Sequence, residues 1–275
     1  MNPHPAPGRT GHVDTGHIHT GRIGSGARDV LAIHCSLAHS GAWKGLAARM
    51  PGLTLHVFDM PSHGRSADWD PAQGDYQDLG TAAAHRLLDR KMDIIGHSFG
   101  ATVALRVAAE RPGMVRSLTL VEPVFFAAAI ADAPGLVADH DARARPFFEA
   151  LDAGDAETAA RLFNRMWSPD ARWDDLPGSA RAAMTRAIHV VPASAPAIYD
   201  DRAGLLKPGV LARITAPVLL LRGSETDPVM AAINDALARR LPDAVSLEVP
   251  GAGHMLPISH PDLMAAALRD LFARS

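Results

Sequence analysis

The chain has 275 residues, of which 47% are hydrophobic and 21% are charged, and its formal net charge is −3. This balance is typical of a globular protein with a large buried core. The lack of a basic excess argues against binding to a nucleic-acid backbone, and a single cysteine, Cys35, excludes a disulfide framework within the chain.

The first residues predict a tail and an edge element rather than a targeting segment. Residues 1–22 contain no apolar signal-peptide core, and no apolar run of 18 residues occurs in the chain. We therefore expect a soluble, cytoplasmic protein. His12, His17 and His19 lie where Thr-Gly recurs every five residues, but they lack the spacing of a metal site. We expect residues 1–27 to form a Pro-rich tail and an edge hairpin rich in turns.

Short apolar, β-branched runs then alternate with helical patterns. The predicted strands are 29–35, 53–60, 91–96, 116–123, 217–223 and 244–250, and the predicted helices are 40–50, 78–90, 101–113, 230–241 and 261–273. Such alternation is typical of an α/β fold with a mostly parallel central sheet and helices on both faces. The core is expected to comprise residues 28–123 and 213–275.

The alternation stops between residues 124 and 212, where the sequence predicts several helices and no strand. Asp155 is suited to be the N-cap of one of them. The segment reads as an all-helical cap inserted into the α/β chain. Its large apolar side chains should mostly fill its own core, with some turned toward a substrate; they are Phe125, Phe126, Phe147, Phe148, Phe163, Met166, Trp167, Trp173 and Met184. Its arginines at 143, 145, 161 and 165 are expected to lie on solvated faces.

The stretch "GHSFG" places Ser98 between two glycines, where a predicted strand meets a predicted helix. Glycines two positions away on either side remove the Cβ atoms that would collide with a strained turn residue. The serine hydroxyl would then project from the carboxyl edge of the sheet, next to the N–H groups of a helix start. This arrangement is the geometry of a nucleophile elbow.

A serine nucleophile needs a base, and the base needs an acid that orients it. His254 follows the predicted strand 244–250 in a small, flexible loop and is the predicted base. Asp227 follows the strand 217–223, directly before a proline, and is the predicted acid. Glu225 and Glu122 compete with Asp227 for this role, and Glu122 could equally cap the segment that follows it.

Taken together, the motifs resemble the α/β-hydrolase superfamily over roughly residues 29–123 and 214–273. They are "HCSLAHSGAW", "VFDMPSHGRS", "GHSFG", "LLLRGSETDPV" and "GAGHMLPISHPD". The resemblance implies this fold with a helical cap, and it leaves the substrate open because the fold supports many reactions.

The resemblance also implies an oxyanion hole. Its first donor would be the backbone N–H of Phe99, and its second that of Ser36, with Leu37 as an alternative. Cys35 stands where the family often has glycine, so this loop could differ in shape. A buried, inert thiol is the expected state of Cys35.

We therefore expect a serine hydrolase that cleaves a carboxylic ester or related acyl bond of a small, mostly apolar substrate, with no metal or organic cofactor. C–C bond hydrolysis, lactone opening and perhydrolysis use the same triad and stay open. So does a proton-transferring lyase, and so does a ligand-binding or receptor module with little turnover. Epoxide hydrolysis and dehalogenation are disfavoured, because enzymes of this fold with those activities have a carboxylate at the elbow.

Overall fold

A central seven-stranded sheet organises the molecule. The computed structural model describes residues 16–275, and its sheet has the strand order β1-β3-β2-β4-β5-β6-β7. The strands are β1 (Thr20–Ile23), β2 (Arg28–Ile33), β3 (Leu53–Phe58), β4 (Met92–His97), β5 (Val115–Val121), β6 (Val218–Gly223) and β7 (Ala244–Val249). β1 pairs antiparallel with β3, and the other neighbours are parallel. The predicted α/β class is confirmed.

Twelve α-helices accompany these strands in the described part of the chain. They are α1 (Lys44–Arg49), α2 (Tyr76–Leu87), α3 (Phe99–Glu110), α4 (Ala127–Ile130), α5 (Pro134–Asp152), α6 (Ala156–Trp167), α7 (Gly178–Ala187), α8 (Val190–Ala193), α9 (Ala195–Ile198), α10 (Val229–Ala238), α11 (Leu256–Ser259) and α12 (Pro261–Ala273). Short 3₁₀ turns lie at Ser40–Trp43, Pro71–Gln73, Pro112–Met114, Trp173–Asp175 and Leu211–Arg213.

The central strands are apolar on both sides because both faces of the sheet are covered. Along β2, Leu31 and Ile33 belong to a core shared with α2, α3 and α10, whereas Val30 and Ala32 belong to a second core shared with α1 and α12. Side chains alternate across a strand, so a run of consecutive apolar residues supplies both layers.

The structure describes the N-terminal segment from residue 16 onward. Residues 16–27 contribute one strand, β1, at the sheet edge, and its partner is the distant strand β3. The rest of the predicted hairpin and His12 lie outside the described residues. His17 and His19 are described, and residues 16–275 contain no group of three or more side chains placed to hold a metal ion. No helix among them is long and apolar enough to cross a bilayer.

The segment between β5 and β6 contains helices α4 to α9 and, within the described residues, no strand. Asp155 caps α6 as the sequence predicts, with its carboxylate accepting the Thr158 N–H at 3.0 Å. A small core packs α5, α6 and the end of α7 together, and its buried members are Phe147, Ala159, Ala160, Trp173 and Ile188. Helices α5 and α6 lie next to the carboxyl edge of the sheet, because their residues share a cavity with the residue that follows β4.

Helix α3 crosses very close to the end of β2, and Gly100 makes this approach possible. A Cβ at residue 100 would lie 2.4 Å from the carbonyl oxygen of His34 and 2.5 Å from that of Ile33. Both atoms belong to backbone that cannot move aside alone, so the position admits only glycine without displacement of α3.

We predict that Gly100→Ala lowers the free energy of unfolding by about 1–3 kcal/mol, because the added methyl overpacks this crossing. The matched control is Gly113→Ala, where a Cβ would meet nothing within 4 Å. Urea unfolding of the two variants measures the difference. Equal unfolding midpoints would contradict the proposed close contact.

Candidate active site

Ser98 forms a strained turn between β4 and α3. Its backbone has φ 55° and ψ −121°, a left-handed conformation that a residue with a side chain rarely adopts. Gly96 relieves the crowding, since a Cβ there would lie 2.3 Å from the carbonyl oxygen of Gly100. The turn therefore has the geometry that "GHSFG" predicts, and Ser98 stands at the start of α3.

The ends of β4 and β5 place Ser98 and Glu122 next to each other at the carboxyl edge of the sheet. The Ser98 N–H donates to the carbonyl of Val121 at 2.9 Å, and the Glu122 N–H donates to the carbonyl of Leu221 at 2.8 Å. Since His97 is in register with Val121, Ser98 and Glu122 are the residues that directly follow two neighbouring parallel strands. Glu122 also has a positive φ, 50°.

The acid that contacts His254 is Glu122. Nδ1 of His254 donates to Oε2 of Glu122 at 3.0 Å, and both side chains are buried. The carboxylate accepts two further hydrogen bonds at 2.6 Å, from the N–H of Gly223 and from the hydroxyl of Thr226. Three donors from two loops therefore fix this carboxylate, and Glu122, one of the two alternatives to Asp227, is the acid that contacts His254.

The structure does not bring Asp227 to His254, which corrects the predicted acid. Its carboxylate accepts hydrogen bonds from His140 and Arg143 of α5, each at 2.8 Å, and from the Val229 N–H at 3.1 Å. Partial burial alone would raise the pKa of Asp227, but these donors outweigh it and lower the pKa to about 2. The carboxylate is thus committed to α5.

Glu122 and Asp227 follow strands that lie at different distances from the strand of Ser98. Glu122 follows β5, which lies beside the serine's strand, whereas Asp227 lies four residues beyond the end of β6, one strand farther away. Glu225 is exposed and is not placed as the acid either. Glu122 could have been identified as a carboxylate that directly follows the strand next to that of Ser98. The sequence does not show which strands are neighbours in the sheet, so this criterion could not be applied.

His254 is held in place from two sides. The backbone carbonyl of His254 accepts a hydrogen bond from Nε2 of His97 at 2.8 Å. On the other side, the ring centroids of His254 and of Trp167 from α6 are 4.1 Å apart. His97 is therefore an anchor for the His254 loop. No local sequence pattern indicates the Trp167 contact, because it joins two segments far apart in the chain.

Ser98 and His254 are not hydrogen-bonded to each other in this structure. Among the described residues, the Ser98 hydroxyl has no hydrogen-bond partner, and Nε2 of His254, the nitrogen opposite the Glu122 contact, has none either. Catalytic hydrogen bonds often tighten only once substrate is bound. Both groups are consequently available to react.

A loop after β2 faces the start of α3 and is fixed by two neutral histidines. Nε2 of His34 accepts the N–H of Met60, and Nε2 of His63 accepts the N–H of Leu37, both at 2.9 Å. The Leu37 N–H is therefore occupied. The N–H groups of Ser36 and Phe99 donate to no other described residue, and both residues line the same cavity as Ser98.

Cys35 is buried beneath this loop. Burial raises the pKa of its thiol to about 12, so it stays protonated and unreactive. The backbone at Cys35, where the family often has glycine, is held by a side-chain hydrogen bond. Nδ1 of His34 donates to the Cys35 carbonyl at 2.7 Å.

A largely apolar cavity opens over Ser98. It encloses about 570 Å³, open space at its mouth included. The lining residues from the helical segment include Phe126, His140, Phe147, Phe148, Phe163, Met166, Trp167, Ile198 and Tyr199. Part of the predicted aromatic set thus lines the cavity, whereas Phe125, Trp173 and Met184 do not. Arg143, predicted to be solvated, is half-exposed and paired with Asp227.

Comparison with known proteins gives one family. A sequence model described as the alpha/beta hydrolase family matches residues 30–267. Lipase LipV of Mycobacterium tuberculosis is 29% identical over 89% of this chain and 93% of its own length. A pimeloyl-(acyl-carrier protein) methyl ester esterase of Chromobacterium violaceum is 30% identical over 88% of this chain and 93% of its own. The solved structure of a hydrolase from Oleispira antarctica has a TM-score of 0.72 at 16% identity, covering 93% of this chain and 94% of that one.

Three buried histidines make the stability of this site depend on pH. Burial lowers the pKa of His34 to about 4 and those of His63 and His97 to about 3, from an ordinary value of 6.5. Below pH 6.5 the unfolded chain binds protons that the folded chain does not. We predict that the free energy of unfolding falls as the pH drops from about 6.5 toward 4, by up to roughly 1.4 kcal/mol per pH unit for each histidine.

Urea unfolding at several pH values between 7.5 and 4.5 measures this dependence. His63→Gln removes one of the three titrating groups. The free energy of unfolding of this variant should therefore change less steeply with pH than that of the wild type, by the contribution of one histidine. A variant slope equal to that of the wild type would show that His63 is not neutral in the folded protein.

Proposed function

The chain belongs to the alpha/beta hydrolase family, and on that basis we propose that it is a serine hydrolase that cleaves carboxylic esters through an acyl-enzyme. The observation that carries the proposal is the buried hydrogen bond between Glu122 and His254, placed beside a strained serine turn. We assign Ser98 as nucleophile, His254 as base and Glu122 as the acid that orients it.

In the first half-reaction, Nε2 of His254 takes the proton of Ser98 as the hydroxyl oxygen attacks the carbonyl carbon. Glu122 fixes the tautomer of the imidazole and stabilises the cation that forms. The N–H groups of Phe99 and Ser36 receive the negative charge of the carbonyl oxygen. The tetrahedral intermediate collapses as His254 returns the proton to the departing alkoxide, which leaves as the alcohol.

In the second half-reaction, His254 takes a proton from water, and the resulting hydroxide attacks the ester carbon of acylated Ser98. Collapse of the second intermediate returns that proton to Ser98 and releases the carboxylic acid. No electron transfer occurs in either step, so the chain's own side chains account for the chemistry.

The cavity supports an apolar acyl or alcohol group of small to medium size, since aromatic and aliphatic side chains dominate its wall. The names of the two sequence relatives, a lipase and a methyl ester esterase, agree with ester substrates. We propose that helices α4 to α9 act as the cap that shapes this cavity. The expectation of a cytoplasmic location stays a prediction.

Ser98→Ala should abolish covalent labelling by a fluorophosphonate probe, because no other oxygen would be placed to attack phosphorus. Intact-protein mass spectrometry gives the readout, and the wild type should gain one phosphonyl group. Thermal unfolding of the unlabelled variant controls for folding. A phosphonyl adduct on the folded Ser98→Ala protein would move the nucleophile elsewhere.

Glu122→Gln should reduce kcat for 4-nitrophenyl acetate by about a thousandfold or more, because the amide cannot stabilise the imidazolium that forms. Asp227→Asn is the matched isosteric control, and we expect a much smaller decrease since its partners lie on α5. Steady-state kinetics of both variants at pH 8 decide between the acids. The reverse order of effects would restore Asp227 as the triad acid.

A further inference from the structure

A second histidine–carboxylate pair lies in the wall of the cavity above Ser98. His140 of α5 lines the cavity and is only 3% exposed. Its Nδ1 donates to Oδ2 of Asp227 at 2.8 Å, and the carboxylate is itself held by Arg143. The ring also stacks on Phe126 at a centroid distance of 4.6 Å. The hydrogen bond to Asp227 and the stack on Phe126 together fix the orientation of the imidazole.

The other nitrogen of His140 is left for a ligand. With Nδ1 committed to Asp227, Nε2 is the remaining polar atom of the ring, and it has no hydrogen-bond partner among the described residues. Nε2 has no protein partner yet is not fully enclosed by protein, so it is accessible from the cavity, where a ligand or water can satisfy it. Its position in the cavity wall makes a bound substrate the natural partner.

The other polar side chains of the wall do not compete for this role. The hydroxyl of Ser194 donates to the Val191 carbonyl at 2.6 Å, and that of Tyr199 donates to Asp141 at 2.7 Å. Nε1 of Trp167 has no hydrogen-bond partner either, but this atom is fully buried and does not open onto the cavity. Apart from Ser36 and Ser98 at the reaction centre, the other lining residues have apolar side chains. Away from the nucleophile, His140 is therefore the residue of this described wall that offers a polar atom both held in place and accessible.

We propose that Nε2 of His140 binds a hydroxyl group that the substrate carries at a distance from the scissile ester, an inference that rests on the ester hydrolase function proposed above. A hydroxyl suits this site because it can donate to the neutral imidazole or accept from the protonated one. A carboxylate or an ammonium group would suit only one of these states.

The location sets the spacing of the two substrate groups. Trp167 contacts both histidines, with ring centroids 4.1 Å from His254 and 5.4 Å from His140. Because one side chain touches both rings, one substrate molecule can reach both sites across a short gap. A straight acyl chain of several carbons with a terminal hydroxyl spans such a gap, and the apolar wall between the sites accommodates its methylene groups.

The test compares 4-nitrophenyl esters of ω-hydroxy acids of six, eight and ten carbons with esters of the unsubstituted acids of equal length. The measured quantity is the ratio of kcat/KM for the hydroxylated and the unsubstituted ester. His140→Phe keeps the stacking ring but loses Nε2, and we expect its ratio to be about tenfold below that of the wild type at the best chain length.

Arg145→Leu is the matched control, because it removes an arginine from an exposed position of the same helix, outside the cavity wall. Its ratio should equal that of the wild type. Equal ratios for wild type and His140→Phe at every length would overturn the proposal. An Arg145→Leu ratio as low as that of His140→Phe would also overturn it, since the effect would then come from α5 in general and not from Nε2.

Failure of the underlying function gives a different result. A wild-type protein that neither hydrolyses the unsubstituted esters nor reacts with a fluorophosphonate would refute ester hydrolysis itself, and the hydroxyl site with it. Hydrolysis of the unsubstituted esters, together with a ratio of hydroxylated to unsubstituted kcat/KM that does not change with residue 140, would refute the hydroxyl site alone.

Discussion

The buried contact between Glu122 and His254 is the interaction on which the rest of the site depends. It joins the end of β5 to a loop that follows β7, and its carboxylate also accepts the Gly223 N–H and the Thr226 hydroxyl at the end of β6. A buried carboxylate is tolerated only when its lone pairs are satisfied. The three donors meet that need and hold three loops together next to Ser98.

Two residues with positive φ, Ser98 and Glu122, follow neighbouring strands at this edge. Each such conformation costs roughly 1–3 kcal/mol and persists only when the surrounding structure imposes it. Here the backbone bonds of both residues to the next strand, together with close glycine packing around the serine turn, impose it. The strain is consistent with side chains held out of the sheet for chemistry.

Asp227 occupies the position that the sequence favoured for the acid but has another set of partners. It binds His140 and Arg143 and so ties α5 to the loop after β6. One carboxylate contacts His254, the base proposed above, and the other contacts His140 in the cavity wall. The two histidine–carboxylate pairs are separate, and Trp167 packs against the histidine ring of each.

The sequence by itself determined the α/β class, the helical segment between β5 and β6, the serine turn and the histidine loop, because local periodicity, glycine spacing and turn residues encode each of them. Only the tertiary structure decided which acid meets His254, since that depends on β5 lying beside β4. It also decided that the Leu37 N–H is occupied by His63, that Trp167 covers His254, and that His140 faces the cavity. Contacts between segments so far apart in the chain arise from strand order and helix packing, which no local pattern records.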